Sequence, residues 1–262
     1  MSNLQKMIYA TYPNLADKRV VVTGGGTGIG AELVNAFVQQ GAKVTFLDIA
    51  REESQQLAER LSVGARHAPK FVYCNLMDLD MLAKVFADIA AADGAVEILV
   101  NNAANDDRHD IQNVDAAYWE NRMAVNLRHL YFAAKAVVPG MIAAGGGVIL
   151  NFGSISWHLA LPELSLYMTS KAAIEGMSRG LARDLGKHNI RVNAIIPGAV
   201  RTPRQEALWT GPEEGKKIMS AQLLQQRVEC EDVAALTLFL ASDNARACSG
   251  REYFVDAGWY GA

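Results

Sequence analysis

Short apolar runs alternate along the chain with longer segments in which apolar residues recur at helical spacing. The short runs are rich in β-branched residues, which is typical of strands buried in a parallel sheet. They cover Lys18–Thr23, Lys43–Leu47, Lys70–Cys74, Val96–Asn101, Gly147–Phe152, Ile190–Ile196 and Glu252–Val255. The helical patterns cover Ala31–Gln40, Ser54–Ser62, Leu79–Ala92, Ala116–Ala143, Ser165–Leu185 and Asp232–Ala241. This alternation predicts an α/β fold, a doubly wound parallel sheet of about seven strands with right-handed crossovers.

Composition predicts one domain and excludes several classes of function. The chain has 262 residues, 50% of them hydrophobic, and no linker or charge run divides it, so we expect a single domain over residues 1–262. A net charge of −3 gives no electrostatic basis for binding nucleic acid or an anionic membrane. No apolar run is long enough to span a bilayer, and residues 1–13 lack the apolar core of a secretory signal.

The cysteines and histidines indicate a reducing compartment and no metal. Cys74, Cys230 and Cys248 are scattered and odd in number, which favours free thiols in a cytoplasmic protein. The histidines form no pair with metal-ligand spacing. Near the C-terminus, a polar segment broken by Gly and Pro at about 199–228, which includes Trp209, is long enough to form a substrate lid.

A glycine-rich turn follows the first predicted strand directly. Gly24, Gly28 and Gly30 lie between that strand and the first predicted helix, in the spacing T-G-x-x-x-G-x-G. Backbone N–H groups at the start of such a helix face an anion, and the missing Cβ atoms let a pyrophosphate approach. A tight turn without a ligand is the alternative. The position between a buried strand and a helix favours the phosphate site of a Rossmann-type fold.

Asp48 ends the second predicted strand and indicates which dinucleotide binds. A carboxylate there accepts both hydroxyls of an adenosine ribose and repels a 2′-phosphate, which favours NAD. The alternative is that Asp48 caps the helix that starts near Arg51. Arg51 would favour NADP, but it lies three residues further on, and Thr27 in the glycine turn is not basic. NAD is therefore the predicted cofactor.

Ser154, Tyr167 and Lys171 carry the candidate chemistry. Tyr167 and Lys171 are four residues apart, one turn along one face of a helix. An ammonium held there stabilises a phenolate, so we expect the pKa of Tyr167 to fall toward working pH. The hydroxyl of Ser154, at a neighbouring strand end, can hold an alcohol or carbonyl oxygen. Such a site transfers a proton and requires an electron acceptor.

Taken in order, these motifs resemble the short-chain dehydrogenase/reductase superfamily. The matching residues are the glycine turn, Asn101-Asn102-Ala103, Asn126, Ser154, Tyr167-x-x-x-Lys171 and Pro197-Gly198. The resemblance implies a catalytic tetrad of Asn126, Ser154, Tyr167 and Lys171, with Asn126 holding a water in a proton relay to Lys171. It also implies NAD as the electron acceptor. The implied cofactor-binding residues are Gly24, Thr27, Gly28, Ile29, Gly30, Asp48, Asn75, Leu76, Asn102, Ala103, Tyr167, Lys171, Pro197, Gly198, Val200 and Thr202.

Polar residues cluster near the tetrad in sequence. Asn105–His109 follow the fourth strand, Trp157 and His158 follow Ser154, and Arg204 lies in the predicted lid. Carboxylates and amides that bind vicinal hydroxyls, beside a flat indole, suit a carbohydrate, whereas solvated surface charge is the alternative. The candidate substrate residues are Asn105, Ser154, Trp157, His158, Tyr167 and Arg204.

Longer stretches sharpen the resemblance. Asn105–His109, Ser154–His158, Phe239–Asp243 and Val255–Trp259 are similar to bacterial NAD-dependent aldose dehydrogenases of this superfamily that act on D-xylose. That similarity implies oxidation of an aldose at C1 to a lactone, with Tyr167 as the base and a small sugar as the partner. L-Arabinose, L-fucose, D-galactose and other secondary alcohols remain open.

Two further expectations concern activity and assembly. A non-catalytic NAD-binding sensor is a third class of function, but a sensor has no need of a complete tetrad. The two longest predicted helices, Ala116–Ala143 and Ser165–Leu185, resemble those that pair between subunits in this superfamily. Their apolar content exceeds what one face against the sheet needs. We therefore expect a homotetramer.

Overall fold

The sheet is parallel throughout and carries its strands in the order β3-β2-β1-β4-β5-β6-β7. A computed structural model of the protein describes residues 9–208 and 211–261, so Trp209 lies outside the described residues. Within them the seven strands are β1 (Arg19–Thr23), β2 (Lys43–Asp48), β3 (Lys70–Tyr73), β4 (Ile98–Asn101), β5 (Gly147–Phe152), β6 (Ile190–Pro197) and β7 (Glu252–Val255). The predicted Rossmann-type doubly wound α/β fold is confirmed.

Helices cover both faces of this sheet. They are α1 (Gly28–Gln39), α2 (Arg51–Ser62), α3 (Leu79–Asp93), α4 (Ala116–Met123), α5 (His129–Ala143), α6 (Ser165–Leu185), α7 (Pro203–Leu208), α8 (Pro212–Ser220) and α9 (Cys230–Ala241). None of the helices in the described part of the chain is long and apolar enough to cross a membrane. Across the same residues, no group of three or more His, Cys, Asp and Glu side chains is placed to hold a metal ion.

The core consists of two apolar layers, one on each face of the sheet. Val20 and Val22 of β1 pack into the layer under α1 and α9, whereas Val21 packs into the layer under α3 and α5. Successive side chains of a strand point to opposite faces, so a strand with helices on both sides must be apolar at every position. This explains why the sequence shows continuous apolar runs rather than alternation.

The predicted helix over Ala116–Ala143 is interrupted in the structure. Five residues, Ala124–Arg128, form a π-helical turn between α4 and α5. A π-helical turn changes the register of the side chains, and here it places Asn126 in the interior. Hydrophobic spacing did not reveal the interruption because apolar residues continue through it.

The predicted lid segment contains two short helices, α7 and α8. At its start and end the chain is tied to the body by a parallel bridge between Val200 and Val228, and Arg201 N donates to Val228 O at 2.8 Å. Residues of both helices, among them Arg204 and Ile218, line the cleft at the carboxyl edge of the sheet. Whether it opens and closes stays a prediction.

Candidate active site

A cleft of about 1210 Å³ lies at the carboxyl edge of the sheet. It runs past the junction of β1 and β4, where the direction of chain crossover reverses, and this is where open α/β sheets bind ligands. Every residue predicted to bind the cofactor lines it, together with the predicted substrate residues Asn105 and Arg204. Asn126, Trp157 and His158 are absent from its lining as the structure describes it.

The glycine turn is held rigidly by the strands around it. Gly24 has a φ of 64°, in the left-handed region that favours glycine. Asn102 Nδ2 donates to the carbonyl oxygens of Thr23 at 3.2 Å and of Gly24 at 3.0 Å. A Cβ at Gly30 would overlap the Gly24 carbonyl oxygen and lie 2.8 Å from Asn102 Nδ2. Packing therefore requires glycine at position 30 and fixes the start of α1.

The first turn of α1 has the features of an anion site. Its first intrahelical bond runs from Ala31 N to Thr27 O at 3.1 Å, and the N-cap Thr27 makes no side-chain cap bond. The N–H groups before Ala31 have no partner within the helix, and they point toward the cleft. This arrangement fits the pyrophosphate of a dinucleotide.

Asp48 connects the glycine turn to the start of α2. Its Oδ2 accepts from Gly26 N at 2.8 Å, and its Oδ1 accepts from Ile49 N at 2.7 Å and Ala50 N at 2.9 Å. The carboxylate thus shapes the turn before α2 but does not cap the helix, whose N-cap is Ala50 and has no side-chain cap bond, and it also lines the cleft. Arg51 does not line the cleft in the described structure, since its guanidinium stacks 3.5 Å from the centroid of the Tyr73 ring.

Ser154, Tyr167 and Lys171 meet at the bottom of the cleft. Lys171 Nζ donates to the carbonyl oxygen of Phe152 at 2.7 Å and lies 5.3 Å from the centroid of the Tyr167 ring. Ser154 lies beside Tyr167, and its hydroxyl group acts to lower the pKa of the phenol. The end of β5 thereby places Ser154 against two neighbouring turns of α6. A substrate oxygen can reach both hydroxyl groups from the cleft.

Burial dominates the acid–base properties of this pair. It raises the pKa of Tyr167, and Asp106 adds to the increase, whereas the hydrogen bond from Ser154 opposes it. Burial also lowers the pKa of Lys171 to about 7, against an opposing effect of Asp106. The sequence led us to expect a lowered Tyr167 pKa. The structure differs because removing both groups from water disfavours both charged forms.

Asn126 holds the loop that follows β4. Its Oδ1 accepts from Asn105 N at 2.8 Å, and its Nδ2 donates to Asn105 O at 3.0 Å. The Asn105 side chain in turn accepts from Asp107 N at 2.9 Å and Arg122 Nη1 at 3.3 Å. The tetrad amide therefore fixes the position of a predicted substrate residue. The proton relay assigned to Asn126 stays a prediction.

Arg204 is tied to the same loop from the lid side. Its Nη2 lies 2.8 Å from Asp107 Oδ1 and its Nε lies 3.4 Å from Asp106 Oδ1. The neighbouring Gln205 Nε2 donates to Asp106 Oδ2 at 2.7 Å. These contacts connect α7 to the loop after β4 across the mouth of the cleft. We refer to them as the lid contacts.

Trp157 and His158, two predicted substrate residues, both contact Glu175 and do not line the cleft as the structure describes it. Trp157 Nε1 donates to Glu175 Oε1 at 2.7 Å, and His158 Nε2 lies 3.1 Å from the same oxygen. The His158 ring also packs against Phe254 and Tyr260. Both polar groups therefore already have Glu175 as a partner, and their contact with substrate stays a prediction. The sequence could not show this because Glu175 is remote in the chain.

Two residues of interest were missed by the sequence analysis. Asp106 lines the cleft near Tyr167 and Lys171 and raises the pKa of both. Glu175 lies on the face of α6 that carries Tyr167 and Lys171, and the spacing of four residues could have identified it. No sequence signal distinguished Asp106 from its neighbour Asp107.

Comparison with known proteins assigns the family. The family model described as enoyl-(acyl carrier protein) reductase matches residues 24–260. The D-xylose 1-dehydrogenase of Caulobacter vibrioides is 54% identical over 253 residues, covering 97% of this chain and 100% of that protein. A probable galactose dehydrogenase of Rhizobium meliloti is 43% identical, covering 94% and 96% of the two chains.

A solved structure shares both the fold and the course of the chain. The 7α-hydroxysteroid dehydrogenase complexed with NADH and 7-oxo glycochenodeoxycholic acid superposes with a TM-score of 0.87 at 29% identity, covering 94% of this chain and 96% of that one. The ordered motifs of the cleft, the family model and these relatives agree, and the chain belongs to the short-chain dehydrogenase/reductase superfamily.

Proposed function

We propose that this protein is an NAD-dependent aldose 1-dehydrogenase that oxidises D-xylose at C1 to its lactone. The observation that carries the proposal is the 54% identity, over nearly the whole of both chains, to a D-xylose 1-dehydrogenase. The cleft supports it, since an anion site and a half-buried Ser154–Tyr167 pair open into the same space.

The cofactor side of the cleft suits NAD. The start of α1 would hold the pyrophosphate, and Asp48 would accept from the adenosine ribose, because a carboxylate retains acceptor capacity beyond its present bonds. Arg51, which would favour a 2′-phosphate, is stacked on Tyr73. When bound, NAD supplies the acceptor for the electron pair that leaves the substrate. The remaining predicted cofactor residues line the path between these ends.

The chain's own residues handle the proton. Tyr167 is the base that takes the proton of the anomeric hydroxyl, and Ser154 holds the same oxygen while it becomes a carbonyl. Lys171, anchored to the Phe152 carbonyl, favours the phenolate whenever it is charged. Asn126 is the predicted holder of a relay water. Lys171 and Asn126 are buried behind the half-buried hydroxyl groups of Ser154 and Tyr167.

The substrate side offers acceptors for sugar hydroxyls. Asn105 and Asp106 line the cleft. Arg204 can bind a sugar hydroxyl itself, or it can give up its ion pairs with Asp106 and Asp107 so that these carboxylates accept from the sugar. Galactose is the second candidate substrate, supported by the 43% identity to a probable galactose dehydrogenase. L-Arabinose, L-fucose and other secondary alcohols follow. The residues themselves do not distinguish one aldose from another.

A panel of sugars and alcohols with NAD or NADP tests the proposal. D-Xylose should reduce NAD and yield a lactone. Methyl xyloside should be inert, because its anomeric oxygen is methylated and has no hydroxyl proton to give Tyr167. The control is a simple hydrophobic secondary alcohol at the same concentration. Failure of every aldose alongside turnover of the alcohol would refute the sugar assignment. A wild-type enzyme that uses NADP as well as NAD would refute the cofactor assignment.

We further propose a homotetramer in a cytoplasmic, reducing compartment. Cys74, Cys230 and Cys248 are free thiols, which suits such a compartment. The helical stretch over α4 and α5 exposes Trp119 and Tyr131, at 43% and 50%, and association would cover them. Sedimentation that shows only a 28.4 kDa monomer would contradict the tetramer.

A further inference from the structure

Glu175 is a buried carboxylate that the proposed chemistry does not use. It is 6% exposed and lies one helical turn beyond Lys171 and two beyond Tyr167, so the three side chains share one face of α6. That face packs against the segment Phe152–His158, which carries Ser154 from the end of β5 into the cleft. A buried carboxylate is costly unless donors satisfy it, so its partners indicate what it does.

Each of the three side chains contacts a different part of this segment. Tyr167 lies beside Ser154, and Lys171 Nζ donates to the Phe152 carbonyl oxygen at 2.7 Å. Glu175 Oε1 accepts from Trp157 Nε1 at 2.7 Å and lies 3.1 Å from His158 Nε2. The three contacts thus fall at three points of one short segment, at Ser154, Phe152 and Trp157–His158. Glu175 therefore shares this segment with two residues of the predicted tetrad.

The carboxylate also lies directly against the backbone beside Ser154. A Cβ built on Gly153 would be 3.4 Å from Glu175 Oε1 and 2.5 Å from Ile196 Cδ1. Gly153, directly before Ser154, is thus packed so closely that a side chain would not fit. On the other side, Ser156 N donates to Ser154 Oγ at 3.2 Å. The position of the Ser154 hydroxyl depends on how closely this segment packs on α6.

Aromatic packing holds the far end of the segment in place. The His158 ring lies 3.9 Å from the Trp157 ring, 4.9 Å from Phe254 and 4.6 Å from Tyr260, centroid to centroid. Both donors to Glu175 belong to this cluster. Burial raises the pKa of Glu175, while the Trp157 hydrogen bond and His158 oppose the rise.

We propose that Glu175 is a positioning residue, which anchors the segment 153–158 to α6 through Trp157 and His158 and so holds the Ser154 hydroxyl against Tyr167. It touches neither substrate nor cofactor. The inference rests on the proposed function, because it takes Ser154 and Tyr167 as the reacting pair. Loss of the anchor should reduce turnover while leaving the cofactor side of the cleft unchanged.

The test compares Glu175→Ala, Glu175→Gln and Trp157→Phe with wild type. Glu175→Ala should lower kcat by roughly 10- to 100-fold, the effect of a small misplacement at a reacting centre. Its Kd for NAD should stay within about twofold. Glu175→Gln keeps an acceptor oxygen for the indole and should recover most of the lost kcat. Trp157→Phe keeps the aromatic packing, removes the donor and should lower kcat as well.

Two controls separate positioning from general damage. Glu252→Gln removes a carboxylate near Glu175 that pairs with Arg179 at the surface, and it should leave kcat unchanged. In the double variant Glu175→Ala/Trp157→Phe, the second change should add little to the first, because both remove the same contact. The proposal would be overturned if the two substitutions lowered kcat by the product of their separate effects, or if the affinity for NAD fell in step with kcat.

The outcomes remain distinct from those for the proposed function. All variants are assayed with the substrate that wild type turns over fastest, whether an aldose or another alcohol. Inactivity of wild type with every aldose would refute only the sugar assignment. An active wild type matched by Glu175→Ala would refute only the positioning role. If Glu175→Ala does not fold, wild-type kcat in Trp157→Phe refutes that role instead.

Discussion

The two sides of the cleft are built in different ways. On the cofactor side, buried bonds tie the glycine turn to its neighbours: Gly24 N donates to Leu47 O at 2.7 Å, and Asn102 binds both Thr23 and Gly24. On the substrate side, the lid contacts join Arg204 and Asp107, whose side chains are 49% and 47% exposed. One side is fixed by backbone and packing, the other by solvated charge.

This difference indicates which side can move. Exposed ion pairs contribute little to stability, and ligand-binding segments come from the less stable parts of a fold. A rigid cofactor side keeps α1, β4 and α6 in fixed positions relative to one another. A weakly held substrate side would let a sugar enter and leave past α7, which is the prediction to test. The predictions below test each side in turn, beginning with the residue between them.

Tyr167→Phe should have the largest effect. Removing the phenol oxygen removes the base, so kcat should fall by about 10²- to 10⁴-fold. The Kd for NAD should change little, because the cofactor side does not depend on that oxygen. Steady-state kinetics and a fluorescence titration with NADH measure the two quantities. Tyr131→Phe, at an exposed tyrosine, is the matched control, and near-normal turnover in Tyr167→Phe would exclude the assigned role.

Asp48→Ala should affect the cofactor side alone. Hydrogen bonds that a charged group accepts are worth about 1.5–3 kcal/mol. Losing them should lower the affinity for NAD roughly 10- to 100-fold. NADP affinity should change less, because repulsion of the 2′-phosphate is relieved at the same time. Asp48→Asn, which keeps an acceptor oxygen and loses the charge, should lie between. Equal losses for the two cofactors would mean that Asp48 only shapes the turn.

The cofactor side could be predicted from the sequence because its determinants are local. The spacing from Gly24 to Gly30 gives strand, turn and helix within one short stretch, and Asp48 ends the adjacent strand. Right-handed crossovers then determine on which face of the sheet each helix lies. The positions of Ser154, Tyr167 and Lys171 could be predicted for the same reason, since they depend on a strand end and a helix repeat.

The substrate side could not be predicted in the same way because its contacts join remote residues. Trp157 and His158 lie close after Ser154 in the chain, yet both contact Glu175, which is remote in sequence. Arg204 finds its partners about a hundred residues earlier, at Asp106 and Asp107. Composition identified a polar surface there, but only the tertiary structure shows which polar groups satisfy one another and which face a ligand.

Asp106→Asn should alter the pH dependence of the reaction. The Asp106 charge raises the pKa of both Tyr167 and Lys171, and Tyr167 must lose its proton to act as the base. Removing the charge lowers the Tyr167 pKa, so the rise of kcat/KM with pH should move to lower pH. At pH values above the transition, kcat/KM for the sugar should fall by about tenfold or less, because a hydroxyl partner weakens.

A pH series of kcat/KM for wild type and Asp106→Asn measures this shift. Asp107→Asn is the control, since it removes a neighbouring carboxylate to which no Tyr167 or Lys171 shift is attributed. A profile displaced to higher pH in Asp106→Asn would show that the carboxylate acts on the tyrosine by another route. Unchanged profiles in both variants would mean that the Asp106 charge has no effect on the pKa of Tyr167.

Arg204→Gln should have the smallest effect on stability and a measurable one on substrate binding. The ion pairs it removes are exposed, so the free energy of unfolding should change by less than about 1 kcal/mol. If α7 must release Asp106 and Asp107 before a sugar enters, the wild-type KM should fall with added salt, which screens exposed pairs. Arg204→Gln should lose that salt dependence, while the Kd for NAD stays constant in both proteins.

Urea unfolding and KM at low and high salt give the two readouts. A salt-independent KM in wild type would mean that the lid contacts do not open during turnover, and a large loss of stability in Arg204→Gln would make the substrate side as rigid as the cofactor side.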